Sequence, residues 1–123
     1  LARFPRRKVL VAHVNHPREL DAASAAVFTG LAEAGFTLLS QTVLLRGIND
    51  DERILADLMG KLWEQGVTPY YLHQLDPVHG AAHFYVPVTV GKSLVEALRG
   101  RLAGYLVPRY VQEIPGDLSK RPL

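Results

Sequence analysis

Apolar residues along the chain fall in short runs separated by longer segments of mixed character. The run VLVAHV at residues 9–14 is rich in β-branched residues and is bounded by polar ones, which predicts a buried strand. Residues 37–45 and 67–75 have the same character, and residues 105–111 predict a fourth strand. Continuous apolar strands are typical of parallel sheets that are covered on both faces or closed into a barrel.

Three segments between these strands predict helices. The first is rich in alanine and extends over residues 19–34. The second is capped by Asp50 or Asp51 and ends near position 65. The third covers residues 89–98, and a glycine follows each helix directly or closely, at positions 35, 66 and 100.

The predicted elements follow one another in the order β-α-β-α-β-loop-α-β, with a long loop at residues 76–88 and a tail at residues 114–123. The helices are long enough for right-handed crossovers between parallel strands. The pattern predicts an α/β fold in which residues 1–123 form one unit. We expect an incomplete (β/α) barrel, a half-barrel of about four parallel strands and three helices. A small open α/β sheet is the alternative.

The composition of the chain supports a folded domain and restricts the kinds of partner that we expect it to bind. The chain has 123 residues, of which 48% are hydrophobic and 21% charged, enough for one compact core. The net charge is only +2, and most of the basic residues are interleaved with acidic ones, so we expect no nucleic-acid partner. A basic run precedes the first strand, formed by Arg3, Arg6, Arg7 and Lys8. We interpret it as a solvated segment rather than a phosphate-binding arm.

The cysteine content and the hydropathy of the chain exclude further classes of protein. The chain has no cysteine, which excludes a disulfide framework or a cysteine-ligated metal site within these residues. No apolar run approaches the roughly 20 residues that span a bilayer. His13, Asn15 and His16 interrupt the N-terminal apolar stretch, unlike a secretory signal. We therefore expect a soluble, cytoplasmic protein with no membrane partner.

The predicted sheet has two edges without a partner strand. Unpaired strand edges favour pairing with another chain. We therefore expect self-association, in the form of a homo-oligomer joined through these edges.

Polar residues gather within or at the ends of the predicted strands. In parallel α/β folds, ligands bind at the C-terminal ends of the strands. The residues in question are, in chain order, His13, Asn15, His16, Gln41, His73, Gln74, Asp76, Gln112, Glu113 and Lys120. Their clustering predicts a ligand site at one end of the sheet.

The polar residues of the first two strands also have a structural explanation. His13 and His16 fit strand-end residues that bond to the backbone, and a buried Gln41 needs hydrogen-bond partners in any case. No spacing in the chain matches a Ser-His-Asp set, a P-loop or a zinc motif.

The later polar residues have ordinary explanations too. Asp76 precedes a proline and fits a turn, while Glu113 and Lys120 fit exposed surface charges. The histidines at positions 73, 79 and 83 are too irregularly spaced to predict a metal site.

Several longer stretches are specific in sequence rather than in composition. They are HVNHPRE at residues 13–19, SQTVLLRGINDD at 40–51, PYYLHQLD at 69–76, GAAHF at 80–84, LRG at 98–100, and GYLVP and PGDLSKRPL toward the end of the chain. Taken in this order, they resemble the lysine 2,3-aminomutase family of radical S-adenosylmethionine enzymes. The resemblance covers nearly the whole chain.

This resemblance implies a partial (β/α)6 barrel, of which the chain is the C-terminal part. It implies three cofactors: S-adenosylmethionine, a [4Fe-4S] cluster that cleaves it, and pyridoxal phosphate. The resulting radical removes a hydrogen from the β-carbon of the substrate, L-lysine, whose α-amino group then migrates to that carbon. In such enzymes the cofactors carry the reaction, and the protein sets their distance and orientation.

The resemblance also implies roles for individual residues. Lys120, in PGDLSK, matches the lysine that binds pyridoxal phosphate covalently, and its amine is a nucleophile once deprotonated. Asp76 and Glu113 match the two acidic positions that hold the distal ammonium of L-lysine, a cation that needs opposite charge when it leaves water. His13 and Gln41 match positions that contact S-adenosylmethionine.

The chain departs from the family pattern near its end. Enzymes of lysine degradation generally have Asp where this chain has Glu113, and glycines where it has Asp117, Leu118 and Ser119. Together with LHQLD and GAAHF, these differences favour the branch that makes (R)-β-lysine for modification of translation elongation factor P. A glutamate 2,3-aminomutase is disfavoured because two acidic residues repel a carboxylate side chain.

The family's cluster-binding motif, CxxxCxxC, lies upstream of the resembling region. We therefore expect this chain to be part of a longer protein and to have no aminomutase activity by itself. Two other classes stay open: a stand-alone amine- or pyridoxal phosphate-binding module without radical chemistry, and an assembly domain whose strand edges pair with a second copy.

Overall fold

The computed structural model describes residues 8–76, 82–112 and 120–123. Within these ranges lie five strands and three α-helices, joined by three short 3-10 turns. The strands are β1 (Lys8–His13), β2 (Phe36–Leu44), β3 (Thr68–Gln74), β4 (Arg109–Gln112) and β5 (Arg121–Pro122). The helices are α1 (Ala22–Glu33), α2 (Glu52–Glu64) and α3 (Val88–Arg101), and the 3-10 turns are Pro17–Glu19, Ala82–Phe84 and Gly104–Leu106.

The strands form one sheet in the order β1-β2-β3-β4-β5. The first four pair in parallel, and β5 runs antiparallel to β4. The predicted α/β class, with four parallel strands and three helices, is confirmed for the described residues. The sequence analysis missed β5, which comprises only two residues of the predicted tail.

All three α-helices lie on one face of the sheet. Each crossover leads to the next strand in the same direction, and right-handed crossovers in one direction place their helices on one side. We call the side that contacts the helices the helix-packed face and the opposite side the far face. The helix-packed face carries Leu38, Ser40, Thr42, Leu44, Leu72, Gln74 and Tyr110. The far face carries Val9, Val11, His13, Leu39, Gln41, Val43, Tyr71, His73, Arg109 and Val111.

Helix α2 supplies four residues of the buried core. Its residues Leu55, Leu58, Met59 and Leu62 are fully buried, because they recur at the three- and four-residue spacing of one helix face. Asp51 caps the helix as predicted: its carboxylate accepts hydrogen bonds from the backbone N–H groups of the first turn. Among the described residues, no helix combines the length and the apolar character needed to cross a membrane.

The predicted start of the first helix, at residue 19, is wrong. Residues Pro17–Glu19 form a separate 3-10 turn, and the backbone is extended at Leu20. Asp21 then caps α1 by accepting a 2.9 Å hydrogen bond from the backbone N–H of Ser24. A capping aspartate inside the predicted helix therefore marks its true beginning.

The predicted end of the third helix, at residue 98, is also wrong. Gly100 does not adopt the left-handed conformation that ends a helix, so α3 continues to Arg101. The fourth strand consequently starts at Arg109 rather than at residue 105, and Gly104–Leu106 forms a 3-10 turn instead. Tyr105 packs against Trp63 at a ring-centroid distance of 5.1 Å.

Strand β1 is an edge of the sheet in the described part of the chain. Its far-face residues Val9 and Val11 are 54% and 38% exposed. Such an apolar edge fits the expected self-association, which stays a prediction.

Candidate functional site

The register of the sheet aligns residues from four strands across the far face. His13 of β1 pairs with Gln41 of β2, Gln41 pairs with Tyr71 of β3, and Tyr71 pairs with Arg109 of β4. We call these four residues the cross-strand row. Neighbouring strands lie about 4.8 Å apart, so the row is roughly 14 Å long. The two residues predicted to contact S-adenosylmethionine, His13 and Gln41, are therefore direct neighbours on one face.

Lys120 joins this face from the end of the chain. Its Nζ atom lies 5.1 Å from the centroid of the Tyr71 ring, a cation–π distance. The backbone reaches this position because β5, which follows Lys120 directly, pairs with β4. The predicted pyridoxal phosphate lysine is thus next to the cross-strand row, two strands away from His13.

Three aromatic rings line strand β3 beside Lys120. The Tyr71 ring makes edge contacts with Tyr70, at 4.4 Å between centroids, and with His73, at 5.6 Å. His73 pairs with Val43 and Val111 in the next register position of the sheet. The sequence analysis quoted PYYLHQLD but did not single out Tyr71. The alternation of the strand was a usable signal, because it places Tyr71 on the same face as His73.

Asp76 follows the end of β3 and is exposed, two residues beyond Gln74. Glu113, its predicted partner around the substrate ammonium, lies outside the described residues, as does His79. The predicted acidic pair stays a prediction. In the residues that the structure does describe, no group of three or more His, Asp or Glu side chains is arranged to hold a metal ion.

Gln74 does not belong to the same site as its neighbour His73. It lies on the helix-packed face, 6% exposed, where its Nε2 donates a 2.7 Å hydrogen bond to the carbonyl of Val86. Its Oε1 accepts a short hydrogen bond from the hydroxyl of Tyr110. Burial, with a smaller contribution from Tyr85, raises the pKa of Tyr110 to about 12. The sequence analysis grouped Gln74 with the site residues because it ends a strand, but strand alternation turns its side chain away.

His16 has a structural role, as the alternative explanation proposed. Its Nδ1 accepts a 3.1 Å hydrogen bond from the backbone N–H of Arg18 at the start of a 3-10 turn. Glu19 reaches back to accept hydrogen bonds from the backbone N–H groups of Asn15, at 2.5 Å, and His16, at 2.9 Å. Part of the HVNHPRE stretch is therefore a capping box rather than a ligand site.

Asn49 is a residue whose importance the sequence analysis missed. It is fully buried, and its Nδ2 donates 2.8 Å hydrogen bonds to the carbonyls of Asn15 and Val43. Its Oδ1 accepts a 2.8 Å hydrogen bond from the backbone N–H of Leu45. No local pattern singles out Asn49, although its side chain joins the ends of β1 and β2. This join fixes the strands that present His13 and Gln41.

No protein-family model matches this chain. It is 44% identical over 122 residues to the L-lysine 2,3-aminomutase of Escherichia coli K12, which covers 99% of this chain and 36% of that protein. It is 42% identical over 111 residues to the L-lysine 2,3-aminomutase of Clostridium subterminale, covering 90% of this chain and 27% of that protein. The chain thus spans about a third of the length of these relatives and matches their C-terminal part.

A solved structure has a similar fold. It is a radical SAM methyltransferase from Sphaerobacter thermophilus, with a TM-score of 0.61 and 24% sequence identity. The similarity covers 89% of this chain and 36% of the methyltransferase chain. At this identity the likeness concerns the fold alone, and it agrees with the α/β arrangement described above.

Proposed function

Since this chain is homologous over nearly its whole length to the C-terminal part of L-lysine 2,3-aminomutases, we propose that it is the C-terminal segment of such an isomerase. The proposed reaction moves the α-amino group of L-lysine to the β-carbon. The observation that carries this proposal is the position of Lys120 over Tyr71, on the same face as His13 and Gln41. Residues assigned to two different cofactors thereby share one surface.

The far face suits the interior of a barrel. Strands that follow one another in sequence order, with all helices on one side, are the arrangement of a (β/α) barrel segment. The far face would then be the lining of the barrel, and the half-barrel is part of this proposal. The exposed valines of β1 fit a strand that has a neighbour in the complete barrel.

The residues around Lys120 fit pyridoxal phosphate. Lys120 provides the primary amine that attaches the cofactor, and Tyr71 provides flat aromatic surface beside it, with the His73 ring next to Tyr71. When bound, this cofactor supplies an electron-withdrawing ring that stabilises charge or an unpaired electron next to the substrate nitrogen.

His13 and Gln41 supply hydrogen-bonding groups for S-adenosylmethionine. An imidazole and an amide can bond the polar edges and the hydroxyl groups of a nucleoside. The two residues are register partners on adjacent strands, so their side chains are held side by side. We propose that this pair would bind the nucleoside of S-adenosylmethionine.

The substrate proposal rests on charge. Asp76 follows β3 and Glu113 follows β4, and these strands are parallel neighbours. Two carboxylates at neighbouring strand ends would hold the distal ammonium of L-lysine and reject an acidic side chain. Glu113 in place of the usual aspartate supports the branch that makes (R)-β-lysine for elongation factor P.

The iron–sulfur cluster does not fit this chain, because no cysteine is present to ligate it. We propose that its ligands belong to the part of the relatives that precedes the matching region. The 123-residue chain alone is expected to form no β-lysine, and detection of β-lysine with the purified chain would contradict this.

The direct test of the site is a titration of the chain with pyridoxal phosphate. Attachment to an amine produces absorbance near roughly 400 nm, an expectation from the chemistry of the cofactor. We expect Lys120→Ala to abolish saturable binding and Lys92→Ala, which removes an exposed lysine of α3, to leave it unchanged. Equal binding by both variants would overturn the assignment of Lys120.

A further inference from the structure

We propose that Tyr71 is a positioning residue, which holds the amine of Lys120 against the far face so that pyridoxal phosphate attaches there. This proposal rests on the proposed function, since it assigns Lys120 a use. Tyr71 acts through the electron-rich face of its ring, which fixes where the amine of Lys120 lies.

The geometry at Tyr71 supports a specific contact. The Nζ atom of Lys120 lies 5.1 Å from the ring centroid, within the range of about 6 Å in which an ammonium is attracted to a ring face. Lysine has a flexible four-carbon stem, so a fixed amine position requires a contact at its far end. Tyr71 provides such a contact beside a backbone that β5 holds in place.

The ring of Tyr71 is itself held by its neighbours. Tyr70 and His73 contact it at interplanar angles of 63° and 61°. The backbone of Tyr71 lies in the middle of the sheet, paired with Gln41 on one side and Arg109 on the other. The surface under Lys120 is thus fixed before any ligand binds, which reduces the entropy lost on binding.

Tyr70 provides a matched control. It is the same residue type in the same strand, and it faces a different cation: the Cζ atom of Arg109 lies 5.3 Å from its ring centroid. Removing the Tyr70 ring therefore removes a tyrosine and a cation–π contact from β3 without removing the ring under Lys120.

The contact itself is testable by NMR without any ligand. A ring face shifts the resonances of protons above it upfield, so the side-chain methylene protons of Lys120 should be shifted. The other three lysines of the chain offer internal references: Lys8 lies 5.4 Å from the Phe36 ring centroid, whereas Lys61 pairs with Asp57 at 3.3 Å. We expect Tyr71→Leu to move the Lys120 signals to ordinary positions and to leave those of Lys8 in place. Unshifted Lys120 signals in the unmodified chain would overturn the proposal.

The role of the contact between Lys120 and Tyr71 in cofactor binding can be tested by titrating the variants with pyridoxal phosphate. We expect Tyr71→Leu to weaken saturable binding about two- to fivefold, the size of one partly exposed cation–π contact. Tyr71→Phe keeps the ring and should bind like the unmodified chain. Tyr70→Leu removes one neighbour of the Tyr71 ring but not the ring itself, so it should weaken binding less than Tyr71→Leu does. If Tyr71→Phe is as weak as Tyr71→Leu, or if Tyr71→Leu binds normally, Tyr71 does not position Lys120 for the cofactor.

The two experiments separate failure of this proposal from failure of the proposed function. If the unmodified chain does not bind pyridoxal phosphate at Lys120, the proposed site fails, and the positioning role fails with it even when the NMR shifts are present. If the cofactor binds at Lys120 but the Tyr71 variants change nothing, the proposed site stands and the positioning role alone is overturned.

Discussion

The two faces of the sheet use tyrosine in opposite ways. On the helix-packed face, Tyr110 is 6% exposed, bonds to Gln74 through its hydroxyl, and leaves no room beside Gly91 of α3. On the far face, Tyr71 of the neighbouring strand is half-buried and presents its ring to Lys120. One tyrosine closes a gap in the core, and the other offers a surface to a charged group.

The difference shows that the two sides of the sheet have different roles. Directional hydrogen bonds and close packing on the helix-packed side and at the strand ends fix the backbone, as the contacts of Asn49 show. The far face carries His13, Gln41 and Lys120, whose polar groups we propose to bind a ligand. Substitutions on the helix-packed side should therefore lower the stability of the fold more than substitutions on the far face do.

The largest expected effect is the loss of stability on replacing Asn49. In Asn49→Ala, two carbonyls and one N–H lose their partner inside the core, which should lower the free energy of unfolding by about 4 kcal/mol. Gln41→Ala removes an amide from the far face instead and should cost less than about 1 kcal/mol. Urea unfolding of both variants measures the difference, and equal losses would remove the distinction between the two sides.

A smaller but still large effect is expected at Gly91. A Cβ atom there would lie 2.0 Å from the hydroxyl oxygen of Tyr110, so Gly91→Ala should destabilise the fold by about 3 kcal/mol. Gly100 lies in the same helix with nothing within 4 Å of such a Cβ. Gly100→Ala should therefore be neutral or stabilise by up to about 1 kcal/mol. Thermal unfolding that ranks the two variants the other way would contradict the close packing of α3 on β4.

The smallest effect is a dependence of stability on alkaline pH. The pKa of Tyr110 is raised from 10.0 to about 12 by burial, so the folded state favours the neutral phenol. Its contribution to stability is complete below about pH 10 and is lost as the pH rises through about 12.

Absorbance of the tyrosinate form follows this titration directly. One of the five tyrosines should ionise only near pH 12, and Tyr110→Phe should remove that late step and its share of the alkaline loss of stability. A late step that persists in Tyr110→Phe would assign the raised pKa to another residue.

Local patterns were sufficient for most of the fold. The spacing of apolar residues in α2, the capping Asp51 and Gly66, which has a positive φ of 84°, together set the helix within one residue or two of its prediction. The same reasoning failed at Gly100, because a glycine ends a helix only when its backbone adopts the left-handed conformation. It also missed β5, since two residues are too few to carry a periodic pattern.

Sequence patterns were enough to predict the order of the first four strands and three helices, the parallel pairing of those strands, and the resemblance that implies roles for Lys120, His13 and Gln41. Those features depend on residues close together in the chain or on whole stretches that match relatives. Two further features are visible only in the fold: Asn49 joins two strands, and Tyr71 lies under Lys120. These contacts depend on strand register and on packing between distant segments, and no local pattern contains that information.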